Sequence, residues 1–348
     1  INEDELEAIL PNINGWIIRS GTQITEKHLA EANNLSVIGR AGVGVDNINI
    51  QAATAAGIVV MNLPDGNTIS AAEHTMSLLS ALSRNVHIGH LGLMSGEWNR
   101  HKLVGNELKD KILGIVGLGK IGREVMKRAL SYDIQILGHD PFVNQEMFDP
   151  EKIKIVDIDE LTSDSDFITL HVPLIDSTRD LFNLARLKMM KPTSRIINVA
   201  RGGIINEKDL SIALNDDVIA GAAIDVFVKE PIEKNHPFLS TKNLLITPHL
   251  GASTIEAKEG VSKGICQQVK DFLLDQKLSN VLNIPIADMS ILKEIEPYLE
   301  MSEKLGIILS QLINESVNSI KIDCFGLIEE LKPMTISFLK GLFNKITD

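Results

Sequence analysis

The chain has 348 residues, 44% of them apolar and 23% charged, and carries a formal net charge of -12. That length can bury at least two ordinary cores, so two domains and a remainder are expected. The acidic balance argues against a nucleic-acid partner, which needs a basic stripe to displace counterions, but leaves room for anionic small molecules held by a few local arginines.

Near the N-terminus, short apolar runs at 15–19, 35–40 and 57–62 read as buried strands, with helical patterns at 25–33 and 50–56 between them. A long helical region covers Ser70 to Ser95, and Gly92, Gly96 and Gly105 are expected to break it near its end; that stretch fits a covering helix, a hinge or a subunit contact. A second series of strands follows near 112–117, 134–139, 153–156, 166–171, 194–199, 219–224 and 243–246. The alternation of strands and helices is that of parallel α/β construction in two sheets. Cys266 and Cys324 are the only cysteines and lack metal-type spacing, so no metal site or disulfide framework is expected and a reducing compartment is. No apolar run reaches the length of a membrane span, and the acidic N-terminal stretch is unlike a signal peptide, which makes the cytoplasm the expected location.

The most specific local pattern is Ile112-Leu-Gly-Ile-Val-Gly117-Leu-Gly119-Lys-Ile-Gly122, a strand that passes through three spaced glycines into a helix. Gly117 permits a tight turn, Gly119 lets a pyrophosphate approach the backbone at the helix N-terminus, and Gly122 allows close helix packing. The next strand ends at Asp140, where an acid meets the adenosine ribose in dinucleotide-binding units. A carboxylate accepts bonds from a ribose diol and repels a 2′-phosphate, which favours NAD over NADP.

Further on, three segments each place one competent side chain beside loop-forming residues: Asn198-Val-Ala-Arg201-Gly202, Asp225-Val-Phe-Val-Lys-Glu230-Pro231 and Thr247-Pro-His249-Leu-Gly251-Ala252. Arg201 and Glu230 follow strands, at the sheet edge where ligands bind in open α/β folds. The Arg201 fork can hold a carboxylate and polarise the carbonyl next to it. His249, followed by an expected helix start, becomes an acid/base if Glu230 contacts it, because the carboxylate favours the imidazolium and fixes the tautomer. Taken singly, each of the three is as well read as a surface charge or a structural hydrogen-bonder.

Together with the glycine loop, these segments resemble the D-isomer-specific 2-hydroxyacid dehydrogenase family, as do Arg19-Ser-Gly-Thr, Gly39-Arg40-Ala-Gly42-Val43-Gly44-Val-Asp46 and Gly66-Asn67-Thr-Ile-Ser-Ala-Ala-Glu73-His-Thr in the first part of the chain. The resemblance runs from about Asn14 to Ala287. It implies a Rossmann-type, doubly wound parallel-sheet cofactor domain (69–249) inserted in a flavodoxin-like substrate domain (1–68 and 250–288), followed by an incomplete α/β domain (289–348). It also implies that Arg201 binds the substrate carboxylate, that His249 is the acid/base and that Glu230 raises its basicity. Carried over by position, NAD contacts fall on Gly117, Gly119, Lys120, Ile121, Gly122, Asp140, Val172, Val199, Ala200, Arg201, Asp225, His249, Gly251 and Ala252, with Val43 and Gly44 bordering nicotinamide and substrate.

The resemblance further implies D-3-phosphoglycerate as substrate and a homo-oligomer, dimer or tetramer. An acid with an anion at each end needs a second cationic group, for which Arg19, Arg40 and, from the Gly96-Glu-Trp-Asn-Arg100 segment, Arg100 are the candidates. A glyoxylate or hydroxypyruvate reductase of the same family stays open, as does an NAD-sensing binding protein similar to the C-terminal-binding corepressors. Family members begin with a strand and helix that would precede Ile1, and Glu296–Asp348 resembles only the opening of a further domain, with a strand at Val317–Asp323 and a turn at Phe325-Gly326. The chain is therefore expected to be a fragment of a longer enzyme.

Overall fold

The computed structural model describes residues 3–19, 21–45, 47–64, 66–284, 292–312, 320–322 and 331–343. The chain falls into two compact units, residues 1–66 with 259–348 and residues 67–258.

In the first unit, β1 (Gly15–Ile18), β2 (Val37–Arg40) and β3 (Val59–Asn62) form a parallel sheet in the order β1-β2-β3. Alternate residues point to opposite faces, so each strand feeds two cores. Ile18, Ile38 and Val60 pack with Leu6, Leu10 and Ala53, whereas Val37, Val59 and Met61 pack with Val261, Ile265 and Val269. Gly39 is required on the second face: a Cβ there would lie 2.6 Å from Val269 and 2.9 Å from Ile265. The register aligns Ile18 with Arg40 and Arg40 with Asn62, which puts Arg19 and Arg40 at neighbouring carboxyl ends.

Farther along, the helices Leu292–Leu312 and Leu331–Phe343 pack through Gly306 and Gly341, where a Cβ would clash with the Phe338 and Glu303 carbonyl oxygens (2.1 and 2.0 Å). Of the strand expected at Val317–Asp323, the described residues Ile320–Ile322 have no regular structure, and the remainder lies outside the described residues, as do Cys324 and the Phe325-Gly326 turn.

The second unit is built on a seven-stranded, fully parallel sheet of β4 (Ile112–Val116), β5 (Gln135–His139), β6 (Lys154–Ile155), β7 (Phe167–Leu170), β8 (Arg195–Asn198), β9 (Gly221–Ile224) and β10 (Leu244–Ile246). Its order is β10-β9-β8-β7-β4-β5-β6. The chain winds outward from β4 and returns at β7, so the β4/β7 boundary is the switch point where ligands bind outside the carboxyl ends. Ile168, Leu170, Ile196, Ala222 and Ile224 supply one face of the core, and Leu113, Ile115, Phe167, Ile197 and Ala223 the other.

The long helical region is two helices, Thr68–Ser83 and Val86–Met94, and it divides at Asn85 (φ 54°) rather than at Gly92, which lies inside the second helix. A single glycine costs a helix only about 1 kcal/mol, whereas asparagine readily takes the left-handed conformation that turns the chain. Gly96 (φ 86°) follows the second helix, as expected. Gly105 serves close packing, since its Cβ would lie 2.4 Å from the Ser83 carbonyl oxygen. After His249 the chain makes a turn, and the next helix begins only at Ile255.

Candidate active site

The glycine loop leaves β4 at the switch point. Gly117 (φ 94°) sits so near β7 that a Cβ would lie 2.4 Å from the His171 carbonyl oxygen and 2.9 Å from Val172, and a Cβ on Gly122 would lie 2.1 Å from the Gly117 carbonyl oxygen. A Cβ on Gly119 would meet nothing within 4 Å. The first and third glycines are thus fixed by protein packing, and the middle one borders open space at the start of the helix Lys120–Ala129, which has no side-chain cap. Lys120 and Ile121 stand in that opening turn, the end of a helix whose N–H groups and dipole favour an anion. The Asp140 carboxylate is aimed by two backbone donors, Leu118 N–H to Oδ2 and Phe142 N–H to Oδ1, both at 2.9 Å. Each oxygen keeps a lone pair for a ribose hydroxyl, so these residues fit a dinucleotide.

The loops after β8, β9 and β10 carry Arg201, Glu230 and His249. Asn198, buried at the end of β8, closes the first: its Nδ2 donates to the Arg201 carbonyl (2.8 Å) and its Oδ1 accepts from Ala200 N–H (3.0 Å). Gly202 then lies against the second loop, where a Cβ would come 2.0 Å from the Phe227 carbonyl carbon. Glu207 holds that second loop, accepting Val228 N–H (2.8 Å) and pairing with His236 (3.2 Å). Within it, Phe227 N–H donates to Glu230 Oε1 at 3.0 Å, which leaves Oε2 to meet His249 Nδ1 at 2.6 Å.

His249 and Glu230 remain 44% and 36% exposed at their side chains, enough for a substrate to reach the imidazole. The hydrogen bond that His249 donates to Glu230 is the largest influence on the imidazole and raises its pKa above the ordinary value; burial and the Arg201 charge oppose it, and the Asp225 charge adds to it. For Glu230, burial alone would raise the carboxyl pKa, but the bonds from His249 and Phe227 N–H together hold it below its usual value. The carboxylate therefore accepts, His249 Nδ1 donates, and Nε2 is the nitrogen left to exchange a proton.

His249 itself has a left-handed backbone (φ 52°), uncommon for a residue with a side chain and frequent at functional turns. Asp225 holds it there. This fully buried carboxylate accepts from Thr247 Oγ1 (2.5 Å) and Leu250 N–H (2.7 Å) at Oδ1 and from Gly251 N–H (2.8 Å) at Oδ2, and its backbone carbonyl accepts His249 N–H (2.9 Å). Burial pushes its pKa upward, yet the hydrogen bonds, led by that from His74, outweigh this and keep it ionised. The Gly251 N–H is therefore already engaged, as most of Asp225 is, and Val199 packs against Gly251.

In the first unit, Arg40 Nη1 donates to the Ala41 carbonyl at 3.0 Å, and Gly42 (φ 140°) leaves room for the guanidinium, which a Cβ would overlap at 1.8 Å. The Val43-Gly44 turn is braced by Asn62 Nδ2, which donates to the Val43 carbonyl (2.7 Å). Arg19 is exposed, and its carbonyl accepts from Asn47 (3.0 Å). Arg100 lies on the exposed 3-10 turn Arg100–Lys102 of the second unit, and no hydrogen bond among the described residues ties it to the Arg201, Glu230 and His249 loops. Asn198, Glu207, His74 and Thr247 support the site without announcing that role in the sequence. A polar residue ending an apolar strand, as Asn198 does, is the one available signal among them.

Residues 76–251 match the family model described as D-isomer specific 2-hydroxyacid dehydrogenase, NAD binding domain, and residues 294–348 match one described as D-3-phosphoglycerate dehydrogenase intervening domain. The chain is 40% identical over 348 residues to a D-3-phosphoglycerate dehydrogenase of Synechocystis and 41% identical over 349 residues to one of Methanocaldococcus jannaschii, covering 99% of this chain in each case. It spans 63% and 66% of the length of those two relatives, less than two thirds. Among solved structures, an NAD-dependent formate dehydrogenase from Staphylococcus aureus in complex with NAD superposes with a TM-score of 0.74 at 32% identity, covering 80% of this chain and 86% of that one.

Proposed function

The chain belongs to the D-isomer-specific 2-hydroxyacid dehydrogenases and carries their NAD-binding domain, and from that premise we propose that it oxidises D-3-phosphoglycerate to 3-phosphohydroxypyruvate, the entry step of serine synthesis. The chemistry rests on one observation, the 2.6 Å bond that fixes the His249 ring on Glu230 and leaves Nε2 open. The substrate rests on the relatives of that name and on the match of residues 294–348 to the intervening domain.

When bound, NAD supplies the hydride acceptor. His249 Nε2 takes the proton of the C2 hydroxyl as the C2 hydride leaves, so that the carbonyl forms without a charged intermediate. Arg201 holds the carboxylate and polarises the developing carbonyl oxygen. Glu230 stabilises the imidazolium at Nδ1. The Gly117–Gly122 turn and Lys120–Ile121 would hold the pyrophosphate, Asp140 the ribose diol, and Val172, Val199, Ala200, Gly251 and Ala252 would line the remaining cofactor site, with Val43 and Gly44 at its nicotinamide end and the buried Asp225 acting from behind through the Leu250 and Gly251 N–H groups. Arg40 and Arg19 bind the phosphate, with Arg100 contributed to a neighbouring subunit of a homo-oligomer, a dimer or tetramer, in the cytoplasm. On this reading residues 69–249 are the cofactor domain, 1–68 with 250–288 the substrate domain, and 289–348 the opening of a further one.

The test is NADH formation from D-3-phosphoglycerate beside D-glycerate, in the wild type and in His249→Ala. Turnover of the phosphorylated acid that the substitution abolishes is expected. Equal turnover of the two acids would make the chain a reductase of unphosphorylated substrates, and binding of NAD with no turnover on either would make it a binding protein.

A further inference from the structure

The segment Ser70-Ala-Ala-Glu73-His74, on the helix Thr68–Ser83, contributes to the candidate site in a way that its residue types alone do not announce. Ser70 and His74 are four residues apart and share one helix face. Ser70 Oγ, buried, donates to the Gly251 carbonyl at 2.8 Å. His74 Nε2 lies 3.2 Å from Asp225 Oδ1 and 3.3 Å from Thr247 Oγ1. The Thr247 hydroxyl has given its hydrogen to Asp225, and the Asp225 carboxylate only accepts, so both oxygens facing Nε2 are acceptors. His74 Nε2 must therefore carry the proton and donate it.

This face grips the turn that carries His249 from both sides, at the carboxylate that collects the turn's N–H groups and at the carbonyl of Gly251. We propose that His74 and Ser70 are positioning residues for His249, holding the Asp225 carboxylate and the left-handed turn in place so that the imidazole stays on Glu230. The inference rests on the reading of His249 as the acid/base. The charged groups acting on His249 are Glu230, Asp225 and Arg201. His74 faces Asp225, and its neighbour Glu73 is turned toward Arg128 (3.2 Å).

The consequence is directional. With its His74 donor gone, Asp225 binds a proton more readily and its grip on the turn weakens, and each change removes negative charge or the Glu230 bond from His249. Both lower the His249 pKa. His74→Phe keeps a ring but no donor, and His74→Gln keeps an N–H donor. In the full chain, His74→Phe is expected to lower kcat for phosphoglycerate oxidation by on the order of ten- to a hundredfold, the range for a misplaced catalytic group, with KM for NAD within about twofold.

The decisive readout is the His249 titration followed by NMR, its signal assigned by its loss in His249→Ala. The midpoint should fall in His74→Phe and return in His74→Gln. An unchanged midpoint and kcat in a variant that only melts earlier would overturn the proposal, and so would a glutamine variant as impaired as the phenylalanine one. If His74→Phe does not fold, Ser70→Ala must show the same downward shift at smaller size, and its absence there counts against the proposal equally. A wild type that makes no NADH from phosphoglycerate removes the substrate reading alone, and the titration then decides the positioning role by itself.

Discussion

At the carboxyl end of the seven-stranded sheet, the loops after β9 and β10 are held by ionic groups: Asp225 gathers the His249 turn, Glu207 the Val228 loop, and Glu230 joins Phe227 to His249. At the end of the three-stranded sheet, the loops after β1 and β2 are held by neutral amides, Asn47 on the Arg19 carbonyl and Asn62 on the Val43 carbonyl. Bonds with an ionised partner contribute about 1.5–3 kcal/mol each against about 1 for neutral ones. The difference follows from what the loops have to do. A proton moves only across a donor–acceptor distance held within a few tenths of an ångström, whereas an arginine on a flexible stem finds an anion by reach. Rigidity is concentrated where the chemistry is proposed, and the proposed anion site has only what keeps its strands aligned.

The sharpest way to break this contrast is His249→Ala, which should lower kcat by on the order of a thousandfold, a typical contribution of general acid–base catalysis, while NAD binding measured by fluorescence holds. A loss confined to NAD binding would mean that His249 serves the cofactor and not the proton. Next in size is Glu230→Gln, which removes the largest influence raising the His249 pKa. The sign can be worked out from the protonation state each direction needs. Oxidation requires neutral His249, so kcat/KM of the wild type should fall as pH drops through a midpoint above the ordinary imidazole value, and the substitution should move that limb to lower pH. Reduction requires the imidazolium, so its activity should fall as pH rises through the same midpoint, and the variant should lose it earlier. Limbs that stay in place would show that Glu230 orients the ring without tuning it.

Much of this architecture was open to reading in the chain itself. Strands such as β4 and β8 are buried on both faces of a parallel sheet, so they stand out as continuous apolar runs ended by glycine or asparagine. The glycine spacing and the ordered Arg201, Glu230 and His249 segments could be read because each is local, a few residues whose types state their chemistry. The supports could not. His74 and Asp225 are 151 positions apart, and nothing in either neighbourhood says that they meet. Glu207 reads as an ordinary first-turn acid of the helix Glu207–Asn215, yet it braces a loop twenty-one residues away. The break at Asn85 instead of Gly92 is a smaller case of the same kind: propensity gives glycine as the weak point, and the turn between two helices goes to the residue that can adopt a left-handed conformation there.

The first sheet gives the smaller effects. Arg40→Ala should raise KM for D-3-phosphoglycerate by about tenfold or more, as expected for loss of one charge-assisted bond, and leave KM for an unphosphorylated 2-hydroxy acid unchanged. Equal losses on both acids would take Arg40 out of the phosphate site. Asn62→Ala is the mildest and tests the contrast itself. Its amide donates to the Val43 carbonyl from a buried position at the end of β3, so the substitution removes one neutral bond, about 1 kcal/mol. If the first-sheet loops need only strand alignment, the melting temperature should fall by a few degrees, as expected for that loss, with KM for phosphoglycerate changed less than in Arg40→Ala and the His249 pH profile untouched. A kcat loss as large as that of Glu230→Gln would show instead that the Val43-Gly44 turn is held to the same tolerance as the His249 turn, and that neutral amides suffice where ionic clamps were taken to be necessary.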